Sequence, residues 1–361
     1  MDKNLRLKDL GERSIVQDLI VDRFKSVKNN FDDAAIIPSK LIEGDIVVTT
    51  DPCPKPVACI LYGENMRLYG MMTVLINISD LAAMGAVPMG ILISCVMPEN
   101  MLVSQYNEFL DGIEEACYQY KCPLIGGNIK DGKEFSVTGT AFGDMKNRKA
   151  LYRSGAKDGD VVCVIGDMGR FWSAVAMELE KISLSQTEVN MLRKSLFAPR
   201  AKLEEGMLLA SSGSVTSCMD CSDGIIACLR EISLASNKRI IIEESKLIPD
   251  QLVQKVANLA GVDFRNMMLS WGDWQLICTV KQNSVDNIKS TIEKIGTPFH
   301  VIGYVENGNS DVLMEKNNRR YHMTMDISSE RFSDTSYFVY GLKPYLEKLK
   351  GKIVLRDREI K

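Results

Sequence analysis

Histidine is nearly missing from this chain of 361 residues: His300 and His322 are the only two. The imidazole-rich zinc and iron centres are therefore disfavoured, and carboxylates, hydroxyls and thiols remain as ligands. Excess positive charge is also missing. A net charge of −3 offers no Lys/Arg stripe to offset phosphates, which argues against a nucleic-acid partner. The segment Met1 to Arg13 is charged and has no apolar signal core. No apolar run long enough to span a membrane survives inspection, because Gly85, Pro88 and Gly90 interrupt the uncharged stretch Leu81–Pro98. The usual phosphate cradles are lacking too: there is no G-x-x-x-x-G-K-[ST], no protein-kinase loop and no G-x-G-x-x-G.

What is present is a globular composition, 45% hydrophobic and 25% charged, in a chain better served by two cores than one. The ten cysteines read as reduced thiols of a cytoplasmic protein. Cys117…Cys122 and Cys218…Cys221 are the only close pairs, and a lone C-x-x-C is a weak zinc signal.

One charge stands out. Asp80 lies within Ile76-Asn77-Ile78-Ser79-Asp80-Leu81-Ala82-Ala83-Met84-Gly85-Ala86, in a segment otherwise apolar or small from Met71 to Pro98. A carboxylate buried there needs a cation, a set of donors or a proton, since an unpaired one costs several kcal/mol. A helix whose Asp bonds a neighbouring helix end and a metal site explain that segment equally well.

Along the chain, Asp9–Lys25 carries Leu10, Ile15, Leu19, Ile20 and Phe24 at helical spacing. Strands are expected at 45–50, 90–96, 124–128 and 135–142, with helices at 66–86 and 103–118. The turn at Asp158-Gly159 marks a boundary, giving domains 1–150 and 151–345 and a charged tail 346–361. Beyond it strands are expected at 161–165, 217–220, 240–242, 276–280 and 301–304, and helices at 171–180, 186–196, 202–211, 225–235 and 285–295. Such mixed elements indicate an α+β fold.

Asp33, Asp51, Asp80, Asp220 and Asp223 each stand where an apolar element meets small residues, and Thr49 and Thr50 add further oxygens. An all-oxygen set suits Mg²⁺ and a phosphate. Taken singly, each acid also reads as a cap or turn residue: Asp223 before the helix from Gly224, Asp33 in a loop. Gly126-Gly127 would let backbone amides approach a phosphate, and Arg153 and Lys157 offer countercharge or solvated surface.

These residues resemble the motifs of the thiamine-monophosphate kinases, in the superfamily that includes aminoimidazole ribonucleotide synthetase, selenophosphate synthetase and a hydrogenase-maturation dehydratase. The matches are Asp32-Asp33-Ala34-Ala35, Thr49-Thr50-Asp51, Asn77 to Ala86, Arg153-Ser154-Gly155-Ala156-Lys157 and Asp220-Cys221-Ser222-Asp223-Gly224. They run in the family's order from about Gly11 to Tyr304. The resemblance implies an N-terminal α+β domain that forms a homodimer and a C-terminal α/β domain closing over ATP. It implies Mg²⁺ ligands at Asp33, Thr49, Thr50, Asp51, Asp80, Asp220 and Asp223, with Asp51, Asp80 and Asp223 central to catalysis. It implies ATP contacts at Gly127, Asn128, Arg153 and Ser222.

The departures fall on the acceptor side. Where the family has Gly-Gly-Asp, this chain has Gly126-Gly127-Asn128. Gly-Glu-Asp-Tyr-Glu-Leu, whose first Glu faces the thiamine ring, becomes Trp271-Gly272-Asp273-Trp274-Gln275-Leu276, and Ala58 takes the place of a substrate-facing His. Ala58, Trp271, Gly272, Asp273 and Trp274 are thus the candidate substrate residues, the two Trp as a flat apolar wall or as core. The expectation is an Mg²⁺-dependent ATP phosphotransferase whose small-molecule acceptor is not thiamine monophosphate. A synthetase or dehydratase that activates a carbonyl or amide oxygen by phosphorylation, and a nucleotide-binding homologue without catalysis, stay open as alternatives. Selenophosphate chemistry is disfavoured by the lack of a reactive Cys in a glycine-rich N-terminal loop. The hydrogenase branch is disfavoured by a tail reading Arg358-Glu359-Ile360-Lys361.

Overall fold

The computed structural model describes residues 5–10, 15–21, 23–24, 37, 39–323, 341–351 and 355–356. The chain divides into two compact units, Met1–Arg148 and Lys149–Lys361. The architecture is α+β, as the sequence pattern indicated.

The first unit is a four-stranded sheet of β1 (Ile46–Pro52), β2 (Val87–Pro98), β3 (Leu124–Gly132) and β4 (Ser136–Asp144), in the order β1-β4-β2-β3. β2 and β3 run parallel and the other pairs antiparallel. A short helix α1 (Val57–Tyr62) leads into α2 (Met66–Met84), and α3 (Val103–Tyr120) joins β2 to β3. α2 starts where the Asn65 side chain accepts the Leu68 N–H and stops at Gly85, whose φ of 76° lies in the left-handed region. Between those caps almost every residue is buried, so the helix is covered on most of its circumference. Val74, Ile78 and Leu81 are fully enclosed, each stabilising the fold by about 2 kcal/mol. α3 instead buries one stripe, Val103, Tyr106, Phe109, Leu110, Ile113, Ala116, Cys117 and Tyr120, at helical spacing.

β1 alternates strictly. Val47, Thr49 and Asp51 are half-buried, while Ile46, Val48, Thr50 and Pro52 are exposed. Cross-strand register carries that division over the whole sheet. One row reads Asp51, Gly139, Ile93, Gly127, and the next reads Pro52, Thr138, Ser94, Asn128. Members of one row share a face, and adjacent rows face opposite ways.

The second unit is built on eight strands in the order β12-β11-β10-β7-β9-β5-β8-β6. Their ranges are β5 (Val161–Ile165), β6 (Val215–Asp220), β7 (Arg239–Glu243), β8 (Leu276–Val280), β9 (Phe299–Glu306), β10 (Asp311–Lys316), β11 (Arg319–Met323) and β12 (Leu355–Arg356). β5 and β8 are buried at every position, which marks a sheet covered on both faces. Helices α4 (Arg170–Leu179), α5 (Gln186–Phe197), α6 (Leu203–Ser212), α7 (Ile225–Ser236), α8 (Gln251–Ala260), α9 (Phe264–Leu269), α10 (Val285–Lys294) and α11 (Leu342–Leu349) complete the unit.

The structure differs from the sequence reading in several places, and α1, α9, β10 and β11 are elements that reading did not contain. The single helix expected over Asp9–Lys25 is, in its described residues, a turn of helix at Leu7–Leu10 and a wider π-type turn at Ile15–Val21. α8 went unpredicted, although Asp250 caps it and Leu252, Val253, Val256, Ala257 and Ala260 form its buried stripe. The charged end, expected as a helix from Lys343 with a loose tail, begins with α11, where Leu346 and Leu349 are fully buried and the Asn266 amide holds the carbonyls of Leu349 and Gly351. All ten cysteines are free, nine of them buried. No described helix is long and apolar enough to cross a membrane.

Candidate active site

In the first unit two of the expected ligands touch. The Thr49 hydroxyl donates a hydrogen bond to the Asp80 carboxylate, joining β1 to the last turn of α2 across 31 positions of sequence. Asp51 lies two residues along the same strand face, about 7 Å further on. Both carboxylates are half-buried. Two carboxylates and a hydroxyl form an all-oxygen donor set, which fits a hard cation and does not fit zinc or copper. Among the described residues no three His, Cys, Asp or Glu side chains converge as a complete metal site. Asp33 lies outside the described residues. Cys218 and Cys221 are both buried, and their pKa values are raised well above 9.0, by burial at Cys218 and by the neighbouring Cys228 thiol and burial at Cys221.

Thr50 and Asn128 stand elsewhere. The Thr50 side chain is on the outer face, bonded to Gly139 O at 3.0 Å and to the Thr140 hydroxyl at 2.9 Å, so its hydroxyl does not join Asp51 and Asp80. Gly127 shares the inner row with Asp51, but three strand spacings separate them, about 14 Å. A Cβ on Gly127 would stand 1.9 Å from Ile93 O, so β2 and β3 pair this closely because the residue is glycine. Asn128 is exposed on the outer face, at the far strand from β1. Ala58 is 1% exposed on α1, where its methyl packs the core and offers no surface to a substrate.

In the second unit Asp220 closes β6 and is only 7% exposed, while Ser222 and Asp223 are exposed in the turn before α7. The N-cap of that helix is Gly224, which has no side chain to cap it with. Cys221 N donates to Gln275 O at 2.9 Å, which sets this turn beside the Trp271–Gln275 loop. Arg153 lies on the free edge of β6: Cys218 N bonds Tyr152 O at 2.8 Å, two residues before Asp220. Arg153, Asp220, Ser222 and Asp223 therefore gather at one border of the sheet.

Trp271 is core. It is 6% exposed and sits among Phe171, Trp172 and Tyr345 at ring separations of 5.2 to 5.8 Å, so it is not the open wall expected. Trp172 and Tyr345 stack at 4.4 Å. Gly272 has φ 115°, and a Cβ there would fall 2.3 Å from the Phe171 ring. Phe171 fills the space where a larger side chain at 272 would go, and no signal in the sequence linked the two. Asp273 accepts N–H bonds from Gly169 at 2.6 Å and Phe171 at 2.7 Å, holding the start of α4. Burial pushes its carboxyl up to about 7, against the lowering effect of those two bonds. Trp274 is half-buried in a left-handed backbone conformation, φ 54°.

Comparison with known proteins follows the same division into two. Residues 31–145 match the AIR synthase related protein N-terminal domain, and residues 157–316 match the C-terminal domain. The chain is 33% identical over 241 residues to the thiamine-monophosphate kinase of Pyrococcus abyssi, covering 66% of this chain and 72% of that one. The thiamine-monophosphate kinase of Stenotrophomonas maltophilia superposes with a TM-score of 0.71 at 24% identity, over 82% of this chain and 96% of that one. AaThiL complexed with AMPPCP and TMP superposes with a TM-score of 0.65 at 24% identity, over 86% and 95%. The protein is thus a thiamine-monophosphate kinase-like member of the AIR synthase related family.

Proposed function

We propose that this chain transfers the γ-phosphoryl group of Mg²⁺-bound ATP to a small-molecule acceptor other than thiamine monophosphate. The observation that carries the reading is the Thr49–Asp80 hydrogen bond with Asp51 on the same strand face. The bond holds the Asp80 carboxylate beside β1, the strand that carries Asp51, which supports a cation site at this edge of the sheet. In the first unit Thr49, Asp51 and Asp80 would hold Mg²⁺, and in the second unit Asp220 and Asp223 would offer carboxylates to a metal ion. Once bound, the metal neutralises phosphate charge and aligns the transferring group. The Thr49 hydroxyl fixes one Asp80 oxygen. Arg153 supplies a further countercharge from a loop edge, and Ser222 a hydroxyl, in contact with the nucleotide. The complex of the relative AaThiL with AMPPCP, an ATP analogue, supports ATP as the donor.

The acceptor reading rests on the rewritten side. Gly272 faces a phenylalanine ring, Ala58 is enclosed and Trp271 belongs to an aromatic core, so the polar groups the family presents to thiamine are lost. We further assign the protein as a homodimer. Ile46 and Val48 are 42% and 56% exposed on the outer sheet face, and β1 and β3 are both edge strands. Asn128 lies on that face, about 14 Å from Asp51, so its natural reach is to a second copy.

The test is a radiolabelled ATP assay with Mg²⁺ across a panel of phosphate esters and alcohols, thiamine monophosphate included. ADP formed only in the presence of one acceptor supports a kinase. Phosphate release without any acceptor as the sole activity contradicts it, and thiamine monophosphate emerging as the best acceptor contradicts the acceptor assignment.

A further inference from the structure

We infer that Ser236 is a positioning residue for Arg153, an inference that rests on the nucleotide reading above. Ser236 is the last residue of α7, the helix that begins directly after Ser222-Asp223-Gly224. Its hydroxyl oxygen accepts the N–H of Gly155 at 3.1 Å and the N–H of Ala156 at 3.1 Å, and its O–H donates to Arg153 O at 3.4 Å. One donor and two acceptor positions are all that a serine hydroxyl has, and all three are spent on one four-residue span. The left-handed C-cap that follows is Asn237, φ 51°, closed by backbone bonds to Leu234 and Ser233, so the helix itself has no use for the hydroxyl.

The span is fixed from its other ends as well. Tyr152 O takes the Cys218 N–H on β6, Lys157 N donates to the Asp160 carboxylate at 2.7 Å, and Thr216 donates to the same oxygen at 2.6 Å. Gly155 runs so close to β6 that a Cβ there would stand 2.4 Å from Thr216 O. Leu151 and Ala156 are buried on either side, whereas Tyr152, Arg153, Ser154 and Gly155 are exposed. An exposed loop is usually left to solvent, and this one is tied at every second residue. The side chain so presented is Arg153, whose guanidinium has no ion pair among the described residues. A long flexible cation on a rigid base loses less freedom on meeting a phosphate than the same cation on a loose loop. α7 runs from the Ser222-Asp223 turn to this base, so one helix connects both nucleotide contacts of the unit.

The experiment is calorimetric titration of the full chain with ATP in excess Mg²⁺, on wild type, Ser236→Ala, Ser236→Thr, Arg153→Ala and the Ser236→Ala/Arg153→Ala double variant. Amide exchange at Gly155 and Ala156 is followed in parallel. Ser236→Ala is expected to speed both amides and weaken ATP about tenfold, with Ser236→Thr near wild type because it keeps the hydroxyl. In the Arg153→Ala background the same change is expected to cost less than about twofold, because the lost interaction is already gone. An equal loss from Ser236→Ala with and without the Arg153 side chain overturns the positioning role. So does wild-type ATP binding by Ser236→Ala while Arg153→Ala binds weakly, and that pattern leaves the nucleotide reading standing. Wild-type binding by Arg153→Ala removes the nucleotide reading of the loop and this inference with it. Should Ser236→Ala fail to fold, Ser236→Thr and Ser236→Cys decide the matter, since only the hydroxyl variant is expected to retain slow exchange and wild-type affinity.

Discussion

In the first unit the candidate ligands stand on regular elements, Thr49 and Asp51 on the inner face of β1 and Asp80 one turn from the end of α2. In the second unit Asp220 closes β6, and the other candidates stand in loops at strand ends: Arg153 beside β6, Ser222 and Asp223 before α7, and Gly272 to Trp274 before β8. A strand or helix fixes a side chain through its own ladder of backbone bonds, whereas a loop residue needs dedicated partners. The second unit spends side chains on that task, Asp273 on the start of α4 and Ser236 on the Arg153 span. Family motifs stand on both kinds of support, since Arg153, Ser222 and Asp223 lie in loops, and so do the departures, Ala58 on α1, Asn128 on β3 and Gly272 in a loop.

The comparison can be broken in the second unit by its aromatic core. Trp172→Ala removes a fully buried ring that touches Phe171, Trp271 and Tyr345, and is expected to cost about 3–5 kcal/mol in denaturant unfolding. A loss under about 1 kcal/mol would show that the cluster is a loosely packed pocket. In the first unit, Asp80→Asn keeps shape but removes charge, and Mg²⁺-dependent turnover is expected to fall about 10²- to 10³-fold with the melting temperature nearly unchanged. Near-normal turnover in that variant removes the metal assignment from α2.

Smaller effects sharpen the contrast. Asp273 has a folded pKa raised to about 7 from 3.8. The folded protein therefore holds that proton more tightly than the unfolded chain does. Its contribution to stability is complete below about pH 4 and is lost as the pH rises through 7. Asp273→Asn is expected to flatten the melting-temperature profile between pH 4 and 7 by about 3 °C. An unchanged profile shows that the carboxyl titrates normally. Asn128→Asp is expected to tighten apparent Mg²⁺ affinity about threefold in a dimer and to do nothing in a monomeric variant, because the residue is out of reach of Asp51 in its own sheet. Equal effects in both states would place Asn128 beside its own copy's site.

Much of this was legible beforehand. α2 announced itself by a mostly small and apolar stretch between Asn65 and Gly85, and the strands by β-branched runs such as Val161–Ile165. Asp80, Asp51 and Thr49 were found because a carboxylate in an apolar helix and acids at strand ends are local signals. Facing was not legible for Thr50 and Asn128, since it depends on which strands pair and in what register, a property of residues up to 90 positions apart. The Phe171–Gly272 contact was hidden for the same reason: neither residue has a neighbour in sequence that hints at the other. α8 was overlooked although its Asp cap and apolar stripe were both in the sequence.

The most direct measurement is anomalous diffraction from crystals grown with Mn²⁺ and AMPPCP. Density for the metal at about 2 Å from carboxylate oxygens of both Asp51 and Asp80, with the analogue's phosphates on its far side, is the predicted result. Metal bound to the phosphates alone, with Asp80 still turned to Thr49 and Asp51 facing solvent, would contradict the account.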